Sequence, residues 1–222
     1  MMKSLFELNG GNPPFVIIVD DVVKNLRVLG TMLEDEDFDV AVAQDGLEAI
    51  EMIKADPPDL ILLDIMMPEM NGWQVCEKLK EDETARDIPV IFLTAKTETE
   101  DIVKGFQIGG VDYVTKPFNK EELLVRIKNH LELKFARDVI VKQNTELKEL
   151  NKEKNEFLGI AAHDLKNPLS GIKGLSELIA LGDLSEEEVI DFANHIKASS
   201  EFMFNLITDL LDINSIEEGK LN

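Results

Sequence analysis

The stretch LILLDIMMPEMNG, residues 60–72, decides the fold of this chain. It begins with four consecutive apolar residues, continues with Asp64, and ends in a segment that contains proline and glycine. A strand that is apolar at every position is typical of a sheet covered on both faces, because a strand with one wet face alternates apolar and polar residues. The segments FVIIVDD (15–21) and IPVIFLTA (88–95) have the same pattern. The sequence therefore predicts a parallel sheet between two layers of helices.

Two further strands and four helical segments complete this pattern. The remaining strand candidates are DVAVAQ (39–44) and DYVTKPF (112–118). Apolar residues three and four positions apart predict helices at KNLRVLGTMLEDE (24–36), GLEAIEMIKAD (46–56), WQVCEKLKEDE (73–83) and TEDIVKGFQIGG (99–110). Strands that alternate with helices imply right-handed βαβ crossovers, so residues 1–134 are predicted to form one α/β domain. Its ligand site should lie beyond the carboxyl ends of the strands, where the strand order reverses.

An all-α part is expected to follow this domain, beginning with a long helix. From Lys120 the chain contains neither glycine nor proline until Gly159. Spacings of three and four residues alternate along this helix at Leu147, Leu150, Lys154, Phe157 and Ala161. This alternation is typical of a coiled coil, and we assign residues 135–154 to a coiled-coil linker helix.

The last part of the chain, residues 155–222, is predicted to be an antiparallel helical hairpin. Gly182 is expected to end its first helix, and Ser185 with Glu188 forms a capping box for the second. Each helix carries an apolar stripe at coiled-coil spacing, here called the seam: Leu158, Ala161, Leu165, Pro168, Ile172, Leu175 and Ile179, then Val189, Phe192, Ile196, Ser199, Met203, Leu206, Leu210 and Ile213. One hairpin alone leaves apolar surface in water, so two copies are expected to pair into a dimeric four-helix bundle.

The composition restricts the classes of function. A formal net charge of -21 at pH 7 argues against a nucleic-acid-binding surface and against binding to anionic membranes, because both require a basic face. Cys76 is the only cysteine, so an internal disulfide is excluded, and its place in a helical pattern favours a buried thiol. The pattern of the first residues is not the one expected of a secretion signal, and no apolar run approaches the roughly 18 to 20 residues of a membrane span. We expect a cytoplasmic protein.

Three carboxylates fall at the ends of two predicted strands. Asp20 and Asp21 follow the first strand, and Asp64 ends the third. These strand ends are neighbours in a parallel sheet, so the three side chains should converge. Two unit charges about 4 Å apart repel by about 4 kcal/mol at an effective dielectric constant near 20, so the cluster requires a cation. Oxygen ligands suit Mg²⁺, which keeps several waters and can be shared with a phosphoryl group.

Two other strand ends supply complementary groups. Thr94 closes the fourth strand with a hydroxyl, and Lys116 closes the fifth with an ammonium. Pro117 follows, and a cis bond there would aim the lysine inward. Carboxylates, Mg²⁺, hydroxyl and ammonium together serve phosphoryl transfer, which needs a nucleophile and neutralisation of the phosphoryl oxygens. Acidic strand ends can also be solvated loop starts, but the order of Asp64, Thr94 and Lys116 at successive strand ends favours the phosphoryl site.

One of the three histidines has a distinctive position. His163 lies two residues from seam positions on either side, which places it about 160 to 200° around the helix from them, in solvent. Asn167 shares its face, and the adjacent Asp164 can hold the ring and assist removal of its proton. His163 is thus a candidate nucleophile, with an ordinary surface histidine as the alternative. The other two are interpreted as helix-surface residues: His130 and His195.

Residues 15–134 resemble the receiver domain of two-component response regulators. The matching motifs are VDD at 19–21, DIMMPEMNG at 64–72, TA at 94–95 and KPF at 116–118. The resemblance implies a flavodoxin-like (βα)5 fold. It also implies a role for each matched residue: Asp64 as the phosphoacceptor, Asp20, Asp21, Asp64 and the carbonyl of Met66 as Mg²⁺ ligands, Thr94 and Lys116 as phosphoryl partners, and Tyr113 as the switch aromatic that moves inward with Thr94.

Residues 150–222 resemble the phosphoacceptor domain of sensor histidine kinases. FLGIAAHDLKNPLSGIKGLSELI (157–179) matches the H-box, and SIEEGKL (215–221) matches the end of that domain. The resemblance implies that His163 is autophosphorylated, that Asp164 is its acidic partner, and that Asn167 positions water for dephosphorylation of a partner aspartate. The ATP-binding motifs of that family do not occur, so this chain alone is not expected to bind ATP or autophosphorylate. We interpret it as a truncated receiver-first hybrid histidine kinase.

Three hypotheses of function follow from these patterns. In the preferred one, the chain is the regulatory and dimerising part of a histidine kinase, and the phosphorylation state of Asp64 modulates the chemistry at His163. Its partners would be a second copy, an upstream phosphodonor kinase, and a response regulator or histidine phosphotransfer protein. In the second hypothesis the chain is a stand-alone histidine phosphotransfer protein. In the third it is a non-catalytic receiver scaffold.

Overall fold

A computed structural model describes residues 5, 7, 9–95 and 99–217, without the side chains of 99–102 and 211–217. The chain divides into two compact units, Met1–Gln143 and Asn144–Asn222. The predicted domain limits of 134 and 154 remain predictions.

The first unit contains the predicted parallel sheet. Its strands are β1 Phe15–Val19, β2 Asp39–Ala43, β3 Leu60–Asp64, β4 Val90–Thr94 and β5 Asp112–Thr115. All neighbouring strands are parallel, and their order across the sheet is β2-β1-β3-β4-β5. The order therefore reverses between β1 and β3, which places the topological switch point at the carboxyl ends of these two strands. The flavodoxin-like fold that the sequence predicted is confirmed.

Helices cover both faces of this sheet. The chain alternates strands with α1 Val23–Glu34, α2 Gly46–Ala55, α3 Gly72–Glu81 and α4 Thr99–Gln107, and β5 leads into α5 Lys120–Leu181. On one face, α1 and the start of α5 pack through Leu26, Leu29, Leu123 and Ile127. On the other, α2 and α3 pack through residues such as Ile53 and Leu79. Every residue of β3 and β4 is buried, as the continuous apolar runs predicted.

Side-chain caps fix where two of these helices begin. The Asp45 carboxylate accepts hydrogen bonds from the amides of Leu47 and Glu48 at the start of α2. Asn71 and Gln74 bond reciprocally to each other's backbone amides at the start of α3. These bonds satisfy amides that have no partner within the helix. The cap at Asn71 therefore also fixes the end of the loop that follows Asp64.

The long helix α5 runs through residues of both compact units. Within the first unit it buries Leu123, Ile127, Leu131 and Phe135 against the sheet. From residue 136 to residue 160 its side chains are exposed, including Leu147 and Leu150 at 57% and 62%. The long helix that the sequence predicted from Lys120 onward is confirmed. Pro168 also lies inside it.

The second unit contains the end of α5 and a second helix, α6 Glu186–Glu217. Gly182 has a positive φ of 80° beyond the end of α5, and Ser185 and Glu188 form the predicted capping box. Most seam positions are buried or partly buried: Ala161, Leu165, Pro168, Ile172, Leu175, Ile179, Phe192, Ile196, Ser199, Met203, Leu206 and Leu210. Two predicted seam residues differ, since Leu158 is 52% exposed and Val189 36%. Residues 218–222, and the side chain of Ile213, lie outside the described part of the chain.

Among the described residues, no helix combines the length and the apolar character that crossing a bilayer requires.

Candidate functional site

Three carboxylates converge at the switch point of the sheet. Asp20 follows β1 and is fully buried, Asp64 ends β3 and is 4% exposed, and Asp21 is exposed. One carboxylate oxygen from each lies within 4.8 Å of the others. The convergence that the strand ends predicted is therefore present. Carboxylate oxygens are the donors that Mg²⁺ prefers, so this cluster fits a magnesium site.

Lys116 bridges the two buried carboxylates of this acidic pocket. Its ammonium lies 2.7 Å from Asp20 Oδ2 and 2.8 Å from Asp64 Oδ2. The peptide bond between Lys116 and Pro117 is cis. Burial by itself would lower the pKa of Lys116, but the hydrogen bonds and charges of Asp20 and Asp64 outweigh it and raise that pKa. The lysine is therefore held in its charged form between two carboxylates.

Burial dominates the electrostatics of Asp64. Removal from water raises the pKa of its carboxyl group above the ordinary value, and the hydrogen bond and charge of Lys116 offset this only in part. The Asp20 charge acts in the same direction as burial. The backbone amide of Met66 also donates to Asp64 Oδ1, at 3.4 Å. A carboxylate in this environment gains from the approach of a further cation.

Asn25 is a part of the pocket that the sequence analysis missed. It lies in the first turn of α1, and its amide nitrogen is 2.9 and 3.0 Å from the two oxygens of Asp20. The backbone amide of Val22 donates to Asp20 Oδ1 at 2.9 Å. A polar residue one helical turn past a strand-end aspartate was the available signal, since such a residue faces back towards the strand end.

Thr94 and Tyr113 occupy neighbouring strands next to this pocket. Thr94 ends β4 and is 4% exposed. Tyr113 pairs with Phe92 in the register of β4 and β5, two positions before the pair of Thr94 and Thr115. The Tyr113 ring is partly buried and makes an edge-to-face contact with Phe106, with 6.4 Å between ring centroids. The predicted switch pair therefore lies on adjacent strands.

The interpretation of His130 as a surface residue was wrong. Its side chain is only 19% exposed, and Nε2 lies 3.2 Å from Asp112 Oδ2. Arg126 binds both oxygens of the same carboxylate, at 2.8 and 3.0 Å. The pKa of Asp112 falls below its ordinary value because these hydrogen bonds, together with that of the Tyr113 amide, outweigh its burial. Helical spacing alone did not reveal that β5 approaches this face of α5.

Gly72 allows the loop after Asp64 to close tightly. A β-carbon at this position would overlap the backbone carbonyl oxygen of Asp64, and backbone atoms cannot move aside. The Gly72 amide donates to the carbonyl of Ile65 at 3.0 Å. The glycine is therefore needed for the close approach of α3 to the end of β3.

The only cysteine lies outside the pocket. Cys76 is fully buried on α3, and burial raises the pKa of its thiol to about 11. Since the thiolate is the reactive form, this thiol is inert at neutral pH. The prediction of a buried thiol is confirmed.

His163 is exposed on the long helix, in the second unit. Its side chain is 71% exposed, and Nδ1 lies 3.3 Å from Asp164 Oδ1. Asn167, one turn further along, is also exposed. The predicted placement of His163 away from the partly buried seam is confirmed. His195, as expected, lies on a helix surface, with a side chain that is 68% exposed.

Two domain families match the chain. The response regulator receiver domain matches residues 16–128, about half of the sequence. The His Kinase A (phospho-acceptor) domain matches residues 153–219. These ranges contain the acidic pocket and His163, respectively.

The chain is similar to a histidine kinase and to two response regulators. The chain is 32% identical to the hybrid signal transduction histidine kinase D of Dictyostelium discoideum, over 95% of this chain and 17% of that protein. It is 41% identical to the response regulator PleD of Caulobacter vibrioides, over 55% of this chain and 27% of that protein. It is 34% identical to the DNA-binding response regulator MtrA of Mycobacterium leprae, over 80% of this chain and 71% of that protein. The chain thus spans about a sixth of the first of these relatives and about a quarter of the second.

Solved structures agree with the fold of the first unit. The receiver domain of a signal transduction histidine kinase from Syntrophus aciditrophicus has a TM-score of 0.51 at 33% identity, covering 54% of this chain and 90% of that one. The chemotaxis protein CheY4 of Vibrio cholerae has a TM-score of 0.51 at 28% identity, covering 53% and 98%. The chain therefore belongs to the response regulator receiver domain family and carries a His Kinase A phospho-acceptor domain after it, an order of domains that fits two-component phosphorelay in a hybrid histidine kinase.

Proposed function

We propose that Asp64 is the phosphorylated residue of the receiver. One observation carries this proposal: a nearly buried carboxylate at the switch point lies 2.8 Å from the Lys116 ammonium, within a cluster of three carboxylates. We further propose that Asp20, Asp21, Asp64 and the backbone carbonyl of Met66 hold Mg²⁺. When bound, the ion would neutralise negative charge on the phosphoryl oxygens.

The groups around Asp64 divide the work of phosphoryl transfer. An Asp64 carboxylate oxygen attacks phosphorus, a new P–O bond forms, and the bond between phosphorus and the donor breaks. The Lys116 ammonium pairs with a phosphoryl oxygen, and the Thr94 hydroxyl donates a hydrogen bond to another. Both groups stabilise the negative charge that grows on the phosphoryl oxygens during transfer. Tyr113 then moves inward as Thr94 is drawn to the phosphate.

His163 is proposed as the phosphoacceptor of the second domain. Its exposed ring has Nδ1 directed at Asp164, so Nε2 is the nitrogen that would attack the terminal phosphorus of ATP, with an N–P bond formed as the bond from phosphorus to the bridging oxygen breaks and ADP leaves. Asp164 holds the ring and assists removal of the Nδ1 proton. Asn167 positions water for dephosphorylation of a partner aspartate. The ATP would be supplied by a separate nucleotide-binding domain of the whole protein.

The whole protein is proposed to act as a homodimeric histidine kinase that the receiver regulates. The exposed apolar residues of the hairpin, among them Phe202 at 56% and Phe204 at 71%, support pairing with a second copy. An upstream kinase would phosphorylate Asp64, and a response regulator or histidine phosphotransfer protein would exchange phosphate with the kinase. The helix α5, which contains both Lys120 and His163, would carry the effect of Asp64 phosphorylation.

A small phosphodonor tests the assignment of Asp64. Incubation of the chain with phosphoramidate and Mg²⁺ should add one phosphoryl group, visible as a mass increase, and chelation of Mg²⁺ should prevent it. Asp64→Asn should abolish the modification because the amide is not a nucleophile. Asp56→Asn, at an exposed carboxylate, is the matched control and should react like the wild type. Modification of the Asp64→Asn variant at the wild-type rate would refute the proposal.

The proposed regulation requires the longer protein that includes its ATP-binding domain. There, Asp64→Asn should change the rate at which His163 is phosphorylated, and His163→Gln should abolish that phosphorylation. An unaltered rate in the Asp64→Asn variant, with wild-type Asp64 shown to be phosphorylated, would show that Asp64 does not regulate the phosphorylation of His163.

A further inference from the structure

We propose that Asn25 is a positioning residue of the acidic pocket: it holds the buried Asp20 carboxylate so that Lys116 can leave Asp20 when a cation enters. This inference rests on the proposed magnesium site. It assigns a role to a residue of α1 that lies outside the three-carboxylate cluster.

Asp20 has its hydrogen-bonding capacity filled. A carboxylate offers about four acceptor positions, two on each oxygen. In this structure Oδ1 accepts from the Val22 amide and from Asn25, and Oδ2 accepts from Asn25 and Lys116. Since Asp20 is fully buried, water does not supply any of these bonds. A cation that approaches Asp20, directly or through its own waters, must therefore replace a donor.

Lys116 is the donor best placed to leave. The Val22 amide belongs to the backbone that leads into α1, so its position is fixed. Lys116 has a second carboxylate, Asp64, within 2.8 Å, and the proposed phosphoryl group would be a further partner. Its side chain is also 20% exposed, unlike that of Asp20. After Lys116 moves, Asn25 and Val22 together still satisfy the buried carboxylate.

Removal of the Asn25 amide would strengthen the contact between Lys116 and Asp20. Asp20 would keep only the Val22 amide and Lys116, and a buried carboxylate with few donors holds its remaining charged partner strongly. An entering cation would then have to compete with a tighter contact between Lys116 and Asp20. Weaker Mg²⁺ binding is the expected result. Loss of helix stability would not explain it, because alanine and leucine both favour helices more than asparagine does.

The test measures Mg²⁺ affinity by calorimetry on the full chain. Asn25→Ala removes the amide, and Asn25→Leu removes it while keeping a side chain of similar size. Each should raise the Kd for Mg²⁺ about tenfold, as expected for lost hydrogen bonds to a charged group. Thr31→Ala, at an exposed uncharged residue of the same helix, should leave the Kd unchanged. Circular dichroism establishes that each variant is folded under the conditions of titration.

A double-mutant cycle tests whether Asn25 affects Mg²⁺ binding through the contact between Lys116 and Asp20. In a Lys116→Met background, Asn25→Ala should change the Kd by less than about threefold, because no ammonium remains to compete. A full tenfold loss in that background would show that Asn25 does not act through this contact. Unchanged or tighter binding in both Asn25 variants would overturn the role of Asn25 and leave the magnesium site intact. Absence of Mg²⁺ binding by the wild type would instead overturn the proposed site itself.

Discussion

At the scale of single residues, the acidic pocket holds charged carboxylates in a buried environment. Asp20 and Asp64 are nearly inaccessible to water, and one ammonium serves both of them. Two carboxylates that share one cation retain a net negative charge, which favours a second cation. The same net negative charge lowers the stability of the folded receiver when no metal is bound.

The raised pKa of Asp64 gives a stability prediction. In the absence of Mg²⁺ at neutral pH, Asp64→Asn should stabilise the receiver by about 1 kcal/mol or more, because it removes a buried charge that Lys116 only partly compensates. Lys116 retains Asp20 as its partner in this variant. Urea unfolding without metal measures the difference, and a less stable variant would contradict this account.

The pH dependence of that difference has a definite sign. A carboxyl group whose folded pKa is raised binds its proton more tightly in the folded state, so its unfavourable effect disappears as the pH falls through that pKa. The advantage of Asp64→Asn over the wild type should therefore shrink as the pH is lowered from neutral. Comparison of the two proteins cancels carboxyl groups with lowered pKa values, such as Asp112, which act in the opposite direction.

A pair of glycines tests the packing around the pocket. Gly72→Ala should destabilise the receiver by about 2 kcal/mol or more, because the new methyl group overlaps the Asp64 carbonyl oxygen. Gly30→Ala is the matched control: nothing lies within 4 Å of the added atom in α1, and a gain of about 0.5 to 1 kcal/mol is expected from helix propensity. Chemical denaturation measures both. Equal changes in the free energy of unfolding for the two variants would show that the space around Gly72 can accommodate a methyl group.

At the scale of helices and strands, local rules account for most of the architecture. Buried strands are apolar at every position, and helices begin at Asp45, Asn71 and Ser185, which are typical capping residues. The seam repeats at spacings of three and four along two helices, and its partly buried positions match the predicted ones at twelve residues of the described part of the chain. These features depend only on residues close together in sequence.

The seam yields a prediction about self-association. Ile196→Asp introduces a charge at a partly buried seam position and should abolish the proposed dimer. Lys197→Asp, on the adjacent exposed position, should leave it intact. Sedimentation velocity measures the oligomeric state, and phosphoramidate labelling of Asp64 serves as a control for a folded receiver. A dimer that survives Ile196→Asp would exclude the seam as the interface.

At the scale of the whole molecule, the chain contains two compact units with different proposed ligands. The receiver unit would bind Mg²⁺ in its acidic pocket, and the helical unit would bind a second copy. A ligand stabilises only the unit that holds it, by an amount that grows with ligand concentration. While Asp64 is not phosphorylated, metal should therefore stabilise the receiver unit and protein concentration the helical unit.

Calorimetric unfolding tests these two responses. Mg²⁺ at a hundred times its Kd should stabilise the receiver transition by about 2.7 kcal/mol and leave the hairpin transition in place. Raising the protein concentration should shift the hairpin transition upward, because dissociation accompanies its unfolding. A receiver transition whose temperature does not change with Mg²⁺ in the wild type would contradict the proposed metal site.

The sequence by itself determined the strand and helix pattern, the convergence of Asp20, Asp21 and Asp64, and the exposure of His163. Periodicity is a local property, and the carboxyl ends of parallel strands meet at one edge of a sheet, so these features can be inferred without coordinates. Only the tertiary structure decided that Lys116 bridges Asp20 and Asp64, that Asn25 binds both oxygens of Asp20, and that His130 meets Asp112. Lys116 and Asp20 are 96 residues apart, and their contact depends on how the five strands are ordered in space. Side-chain partners of this kind follow from packing between elements, which sequence spacing does not encode.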